Sequence, residues 1–376
     1  MAARADSVGM RRIHVFAFRD RDDPESGGSE EHATQVCTHL ALAGRDVTLH
    51  TGRVPGAAAR IERNGFRVVR RGGRVGVFIT SVLDERFGRL GPADGIVEIF
   101  HGVPFFAPLW SRTPQVGLVH HVHLGTWDAL LPGWPGRVGH LIERFAVPAV
   151  YRKRTLVTAA ASARDEIVTH YRADPDRITI APHGIAEHFT PGGSRHPKPL
   201  IVAVARLMPQ KGVDELIGAL VAVKEAVPET QATIVGDGPH RDRLQTVARE
   251  AGAEWIHWAG RVTDDELVQW YRSAWVVASA SRREGFGLTL TEAAACGTPT
   301  VATRIPGHVD AVDEGRSGLL AGSTAELADR LVDVLTDEAL RASLGAGALA
   351  HAEHFHWDEA SATLLGALCD EAERRR

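Results

Sequence analysis

The chain has 376 residues, 44% of them hydrophobic and 24% charged, with a formal net charge of −4. At about 100–200 residues per domain this length predicts two domains, each able to bury its own core. The composition excludes a disordered chain, a secreted mini-protein and a coiled coil, the charge balance excludes a dominant nucleic-acid field, and no apolar run approaches the ~18 residues of a spanning helix.

Residues 1–12 carry charges and no apolar segment, so they do not read as a secretory signal. Residues 13–18 read as a strand, 19–28 as a polar loop ending in Gly27-Gly28, and 30–43 as an amphipathic helix stopped by Gly44. Further short apolar strands are expected at 47–50, 66–69, 95–100, 115–121, 156–160 and 177–181. Residues 182–199 hold Pro182, Gly184, Pro191, Gly192, Gly193, Pro197 and Pro199, the clearest linker in the chain. Strand–helix alternation then restarts: strands at 200–205, 232–235, 255–258, 275–278 and 300–302, helices at 213–227, 239–251, 264–272 and 287–296. Helices at 324–336, 338–350 and 357–372 complete the chain. The expected fold class is α/β, two Rossmann-like doubly wound parallel sheets facing across a cleft. The expected division is 1–187, a linker at 188–199, a second domain at 200–355, and a terminal helix at 356–376 crossing back to the first. The cysteines, Cys37, Cys296 and Cys369, lie far apart without disulfide or metal spacing, which suits a reducing, cytoplasmic setting.

Three segments of the second half carry chemistry. In Glu284-Gly285-Phe286-Gly287-Leu288-Thr289-Leu290-Thr291-Glu292 a helix starts between two carboxylates. Gly285 and Gly287 let a ligand approach the backbone, and the N–H groups near Gly287, Leu288 and Thr289 favour an anion. Glu292 can accept from a ribose diol and Glu284 from sugar hydroxyls; the plainer reading is two solvated glutamates. Arg206 and Lys211, after a strand, can reach one diphosphate, Arg as a fork and Lys as a point charge, or form a solvated basic loop. Gly236-Asp237-Gly238-Pro239 is a tight turn after another strand.

As a set, these segments resemble the donor-binding domain of family 4 retaining glycosyltransferases, which have the GT-B fold. The matching pieces are Arg206…Lys211-Gly212, Val235-Gly236-Asp237-Gly238-Pro239, Gly260-Arg261-Val262, and Glu284-Gly285-Phe286-Gly287-Leu288…Glu292 running on into Ala293 and Cys296-Gly297-Thr298-Pro299, within residues 201–320. The resemblance implies that Arg206 and Lys211 neutralise the donor diphosphate and that Glu292 holds the ribose. Glu284 would contact the transferred sugar, and Gly236, Phe286 and the 285–289 backbone would line the donor. Arg261 and Val262 would meet the base, with Gly27 and Gly28 under the diphosphate. It also implies a histidine beside the sugar at a strand end of the first half; among His120, His121 and His123 the choice is His123, with His121 in reserve. His121 and Trp127 are candidates for the acceptor.

The implied reaction is retaining transfer of a hexosyl or N-acetylhexosaminyl unit from a UDP- or GDP-linked sugar to a hydroxyl of a small-molecule, natural-product or lipid-linked acceptor. The departing phosphate takes the acceptor proton on the front face, and no cofactor or metal is required. A nucleotide-sugar 2-epimerase and a non-catalytic sugar-nucleotide binder are the alternatives. His120, His121 and His123 suggest a metal cluster, but no nearby carboxylate or cysteine completes it, and on a strand His120 points away from the other two. Asp20-Arg21-Asp22 reads as a solvated loop, and the six arginines between 60 and 74 as a solvated face rather than a lipid or phosphate site. Trp110, Trp127 and Trp134, with Phe105, Phe106, Leu130 and Leu131, divide between core, acceptor pocket and a peripheral contact at the inner membrane face.

Overall fold

The computed structural model describes residues 1–127, 131 and 133–376, so Leu130 lies outside the described residues. Two compact units result, residues 1–184 with 357–376, and residues 185–356.

The first unit is built on an eight-stranded sheet: β1 Arg12–Phe16, β2 Asp46–Thr51, β3 Arg60–Arg63, β4 Phe66–Arg70, β5 Gly95–Phe100, β6 Gln115–Val119, β7 Leu156–Thr158 and β8 Ile178–Ile180. Their order is β3-β4-β2-β1-β5-β6-β7-β8. All neighbours run parallel except β3 and β4. β1, β5 and β6 are near-continuous apolar runs because helices cover both faces of such a sheet. Ile13 pairs with Val47 on one side and Gly95 on the other, so the chain reverses its direction of winding at β1. The terminal helix Trp357–Arg374 buries Leu364, Leu365, Leu368 and Cys369 in the same core as Ile13, Val15, Val36 and Val97. Each such leucine contributes about 1.5–3 kcal/mol of burial. Residues 2–7 form a short helix whose Arg4 meets Asp370 and Glu373 at 2.5 and 2.9 Å.

The second unit holds a six-stranded, fully parallel sheet: β9 Leu200–Val204, β10 Gln231–Val235, β11 His257–Gly260, β12 Val276–Ser279, β13 Thr300–Thr303 and β14 Gly318–Ala321, in the order β11-β10-β9-β12-β13-β14. Here the winding reverses between β9 and β12, which lie side by side. Ligands of doubly wound sheets bind beyond the carboxyl ends of such strands.

Two expectations are corrected. The 188–199 stretch is not a loose linker. The division falls at Gly184, and the stretch is bonded to the second unit: Arg195 donates to Thr298 Oγ1 at 2.5 Å, and Arg272 Nε to the Thr190 carbonyl at 2.7 Å. The loop at 20–22 is not a solvated loop but an ionic cluster with Arg63 and Arg70, while Arg60, Arg67, Arg71 and Arg74 of the arginine run are exposed as expected. Asp20 is 1% exposed and accepts from Arg63 and Arg70, each at 3.1 Å. Asp22 also meets both, while Arg67 pairs with Asp46 and Arg71 with Asp84. Among the described residues no helix is long and apolar enough to cross a membrane. All three cysteines are reduced and buried.

Candidate functional site

In the second unit the loops after β9 and β12 bring the expected donor residues together. After β9 the chain turns through Arg206 into a short helical turn, Pro209–Lys211, and ends it with Gly212 at φ 57°. A Cβ on Gly212 would stand 2.0 Å from the Ala280 carbonyl, so only glycine lets the two loops lie this close. Arg282 locks them further. It donates to the Pro209 carbonyl at 2.6 Å and pairs with Asp214 and Glu215 at 2.9 and 3.0 Å. Lys211 Nζ is thereby held 2.5 Å from Glu284 Oε1, which also accepts from Ser281 Oγ at 2.8 Å. Burial alone would raise the Glu284 carboxyl; the charge and hydrogen bond of Lys211, then His308 and Ser281, outweigh it and hold it below the ordinary value.

Gly287, at φ 87°, caps the helix Leu288–Ala295, and Gly307 fits where a Cβ would meet the Glu284 carbonyl at 2.7 Å. Glu292 sits in the second turn and accepts from the Tyr271 hydroxyl at 2.8 Å. Burial, then the Glu292 charge, pushes the Tyr271 phenol well up, so it stays a donor. The Phe286 ring is 4% exposed and packs edge-on to Phe355, so the ring belongs to the interior. The Gly236 turn is stitched to the Arg206 loop: Leu207 N–H donates to Asp237 O at 3.0 Å and His240 N–H to Leu207 O at 3.1 Å. A Cβ on Gly236 would lie 2.0 Å from the Ala205 carbonyl. Arg261 and Val262 follow β11, one strand further along the sheet.

In the first unit Gly27 precedes the helix Gly28–Leu42, and its N–H donates to the Glu30 carboxylate at 2.8 Å. His120, His121 and His123 follow β6. His121 and His123 stack with centroids 4.2 Å apart, while His120 turns elsewhere, onto His32. Buried His123 is held by Glu143, which accepts from its backbone N–H at 2.7 Å, from Trp127 Nε1 at 2.6 Å and from the Tyr171 hydroxyl at 2.7 Å. Glu143 lies in a π-helical turn, Ile142–Ala146, which no local residue pattern announces. Trp127 is wedged against backbone: a Cβ on Gly102 or Gly139 would come within 2.5 or 2.4 Å of its ring. It therefore packs in the interior, which leaves half-exposed His121 as the more accessible of the two acceptor candidates.

The region 185–350 matches the family model of glycosyl transferases group 1. The chain is 35% identical to the D-inositol 3-phosphate glycosyltransferase of Acidothermus cellulolyticus over 98% of this chain and 91% of that one. It is 35% identical to the same-named protein of Corynebacterium glutamicum over 97% and 96% of the two. The chain belongs to the group 1 glycosyltransferases. The fold is that of sucrose-phosphate synthase from Thermosynechococcus elongatus, with a TM-score of 0.79 at 18% identity over 94% of this chain and 97% of that one. It is also that of Anabaena HepE in complex with UDP-glucose, at 0.71 and 17% over 96% and 98%.

In this glycosyltransferase Arg206, Lys211, Gly236, Glu284, Gly287 and Glu292 all fall inside the matched region, as does His308, which the sequence reading missed. His308 donates from Nδ1 to the Thr303 carbonyl at 2.8 Å, a Cβ on Gly287 would stand 3.3 Å from its ring, and burial lowers its pKa. Its only sequence signal was a glycine before it.

Proposed function

We propose that this glycosyltransferase moves a hexosyl or N-acetylhexosaminyl unit, with retention, from a UDP- or GDP-linked sugar to a hydroxyl of a phosphorylated inositol-like polyol. The acceptor class is supported by the names of relatives that match along nearly the whole chain. The donor side is supported chiefly by Lys211 and Glu284, held 2.5 Å apart beyond the carboxyl ends of β9 and β12. Lys211 and Arg206 meet the diphosphate, whose negative charge grows as the bond to the sugar C1 breaks. The helix starting at Leu288 adds its N-terminal dipole. Glu292 takes the ribose, its carboxylate set by Tyr271. Glu284, ionised by its neighbours, takes sugar hydroxyls. The acceptor oxygen bonds to C1 on the face the phosphate leaves, and its proton passes to the departing phosphate oxygen. His123 contacts the sugar, and no metal is assigned to this chemistry.

The test incubates the protein with UDP- and GDP-linked glucose and N-acetylglucosamine, with and without inositol 3-phosphate and EDTA. The expected result is an acceptor-dependent, EDTA-insensitive α-linked product from one donor. Sugar inversion at C2 without acceptor would establish the epimerase instead; tight nucleotide binding without turnover would leave a binding protein.

A second observation favours a peripheral contact with an anionic membrane. Trp134, Val138, Leu141 and Phe145 are 76, 43, 53 and 62% exposed and share one helical stripe. Arg137 and Arg144 are exposed in the same segment, and its single acid, Glu143, is buried.

A further inference from the structure

We propose that His32, His120 and His183, in the first unit, form a binding site for a zinc-class divalent transition-metal ion. The proposal is independent of the donor and acceptor assigned above.

Three separate elements deliver these rings. His32 is in the second turn of the helix Gly28–Leu42, His120 directly follows β6, and His183 follows β8. One ligand nitrogen from each lies within 4.8 Å of the other two. His32 Nδ1 and His120 Nε2 are 2.8 Å apart, and the His183 ring centroid is 4.0 Å from that of His32. Among the described residues the group has no carboxylate or cysteine member, so its donor set is three imidazoles. Such a set suits Zn²⁺, Co²⁺, Ni²⁺ or Cu²⁺ and not Mg²⁺ or Ca²⁺, which require oxygen.

The surroundings are those of a ligating cluster. His32 and His183 are 2 and 4% exposed, and burial keeps all three rings neutral, the form with a lone pair to give. His120 donates its second nitrogen to the Phe100 backbone, which fixes the tautomer with Nε2 as the bare nitrogen. Trp357 covers the group, with its ring 5.3 Å from His32 and 5.7 Å from His183, and forms an apolar shell. With metal–nitrogen bonds of about 2.0–2.1 Å, tetrahedral ligands stand about 3.3 Å apart. Ligation therefore needs the His32 and His120 rings to part by about half an ångström and His32 to shift its proton from Nδ1 to Nε2, so that one N–H···N bond gives way to two metal bonds. Water would complete a four-coordinate ion. The ion would pin the helix that begins at Gly28 to the segment leading into His121 and His123.

The test uses tag-free full-length protein, stripped with chelator, equilibrated with ZnCl₂ and desalted, with metal counted by mass spectrometry. Wild type and the surface control His170→Ala should retain about one Zn²⁺ per chain, and His32→Phe and His183→Asn less than about a tenth. Excess Zn²⁺ at about a hundredfold over its Kd should raise the wild-type thermal midpoint by about 5 °C and leave both variants unmoved. Co²⁺ should give the intense visible bands of a four-coordinate site in wild type only. Circular dichroism checks that each variant is folded. If His32→Phe folds poorly, His183→Asn and the cobalt spectrum decide. Folded wild type that retains no Zn²⁺, or folded variants that retain as much as wild type, would show a hydrogen-bonded histidine cluster and overturn the proposal.

Discussion

Lys211 Nζ lies 2.5 Å from Glu284 Oε1, although 73 residues separate them in sequence. Each is partly exposed, by 25 and 18%, so the pair sits between a surface bridge and a buried one. Lys211→Ala should therefore cost about 1–2 kcal/mol of stability. It should reduce transfer at least a thousandfold, because a leaving diphosphate loses a fixed cation. Turnover near wild type in folded Lys211→Ala would remove Lys211 from the site.

The same pair sets a pH dependence. The Glu284 carboxyl is held below its ordinary value in the folded chain. The unfolded chain thus binds the proton more tightly, and stability rises with pH through that window. The contribution is fully present above about pH 4.3, the unfolded value, and is lost as pH falls through the lower folded value. Chemical denaturation from pH 6 to 3 should show the gap between wild type and Lys211→Ala closing on acidification. A gap that widens would mean the lysine stabilises through another partner.

Much of this arrangement was legible, and the exceptions have physical causes. Strand–helix alternation, glycine turns and the second-half motifs make the loops that carry Lys211 and Glu284 legible, because each is local to one strand end. The β3–β4 hairpin was missed although Asn64-Gly65 announces it; both residues have positive φ, 46° and 82°, as a tight hairpin turn requires. The ionic lattice of Asp20 and Asp22 with Arg63 and Arg70 was not legible, because it pairs a loop with strands about forty to fifty positions away. His32 and His120 are 88 positions apart, and only the packing of a helix on a sheet brings them together.

Tyr271 donates to Glu292 at 2.8 Å and does not itself reach for substrate in this reading. Tyr271→Phe should keep kcat and raise the donor KM about tenfold, the value of about one hydrogen bond to a charged group. Glu292→Ala should abolish transfer with the fold intact. Equal losses of kcat in both variants, measured by steady-state kinetics, would place the phenol at the reacting atoms.

Glu143 and His123 should separate in the opposite way. Glu143→Gln puts an amide N–H₂ where three donors converge, His123 N–H, Trp127 Nε1 and Tyr171 Oη, so it should destabilise the first unit by about 2–4 kcal/mol. The emission of Trp127 should shift with it. His123→Ala should leave the thermal midpoint within about 2 °C and reduce kcat a hundredfold or more. A folded His123→Ala enzyme with wild-type kcat transfers the histidine role to His121.

The exposed stripe makes a prediction that needs no substrate. Trp134, Val138, Leu141 and Phe145 present a continuous apolar edge between arginines, and burying a few such side chains at a bilayer surface contributes about 1.5–3 kcal/mol each before orientation costs. Anionic headgroups add about 1 kcal/mol per nearby cation. Binding to vesicles of phosphatidylcholine with 30% phosphatidylglycerol should thus be salt-sensitive and absent from phosphatidylcholine alone. Leu141→Ser with Phe145→Ser should weaken it at least tenfold while transfer to a soluble inositol phosphate continues at the wild-type rate. If instead the variants abolish a dimer seen by light scattering and vesicles never sediment the protein, the stripe is a contact between two copies of the chain, and the helix presents its apolar edge to protein rather than lipid.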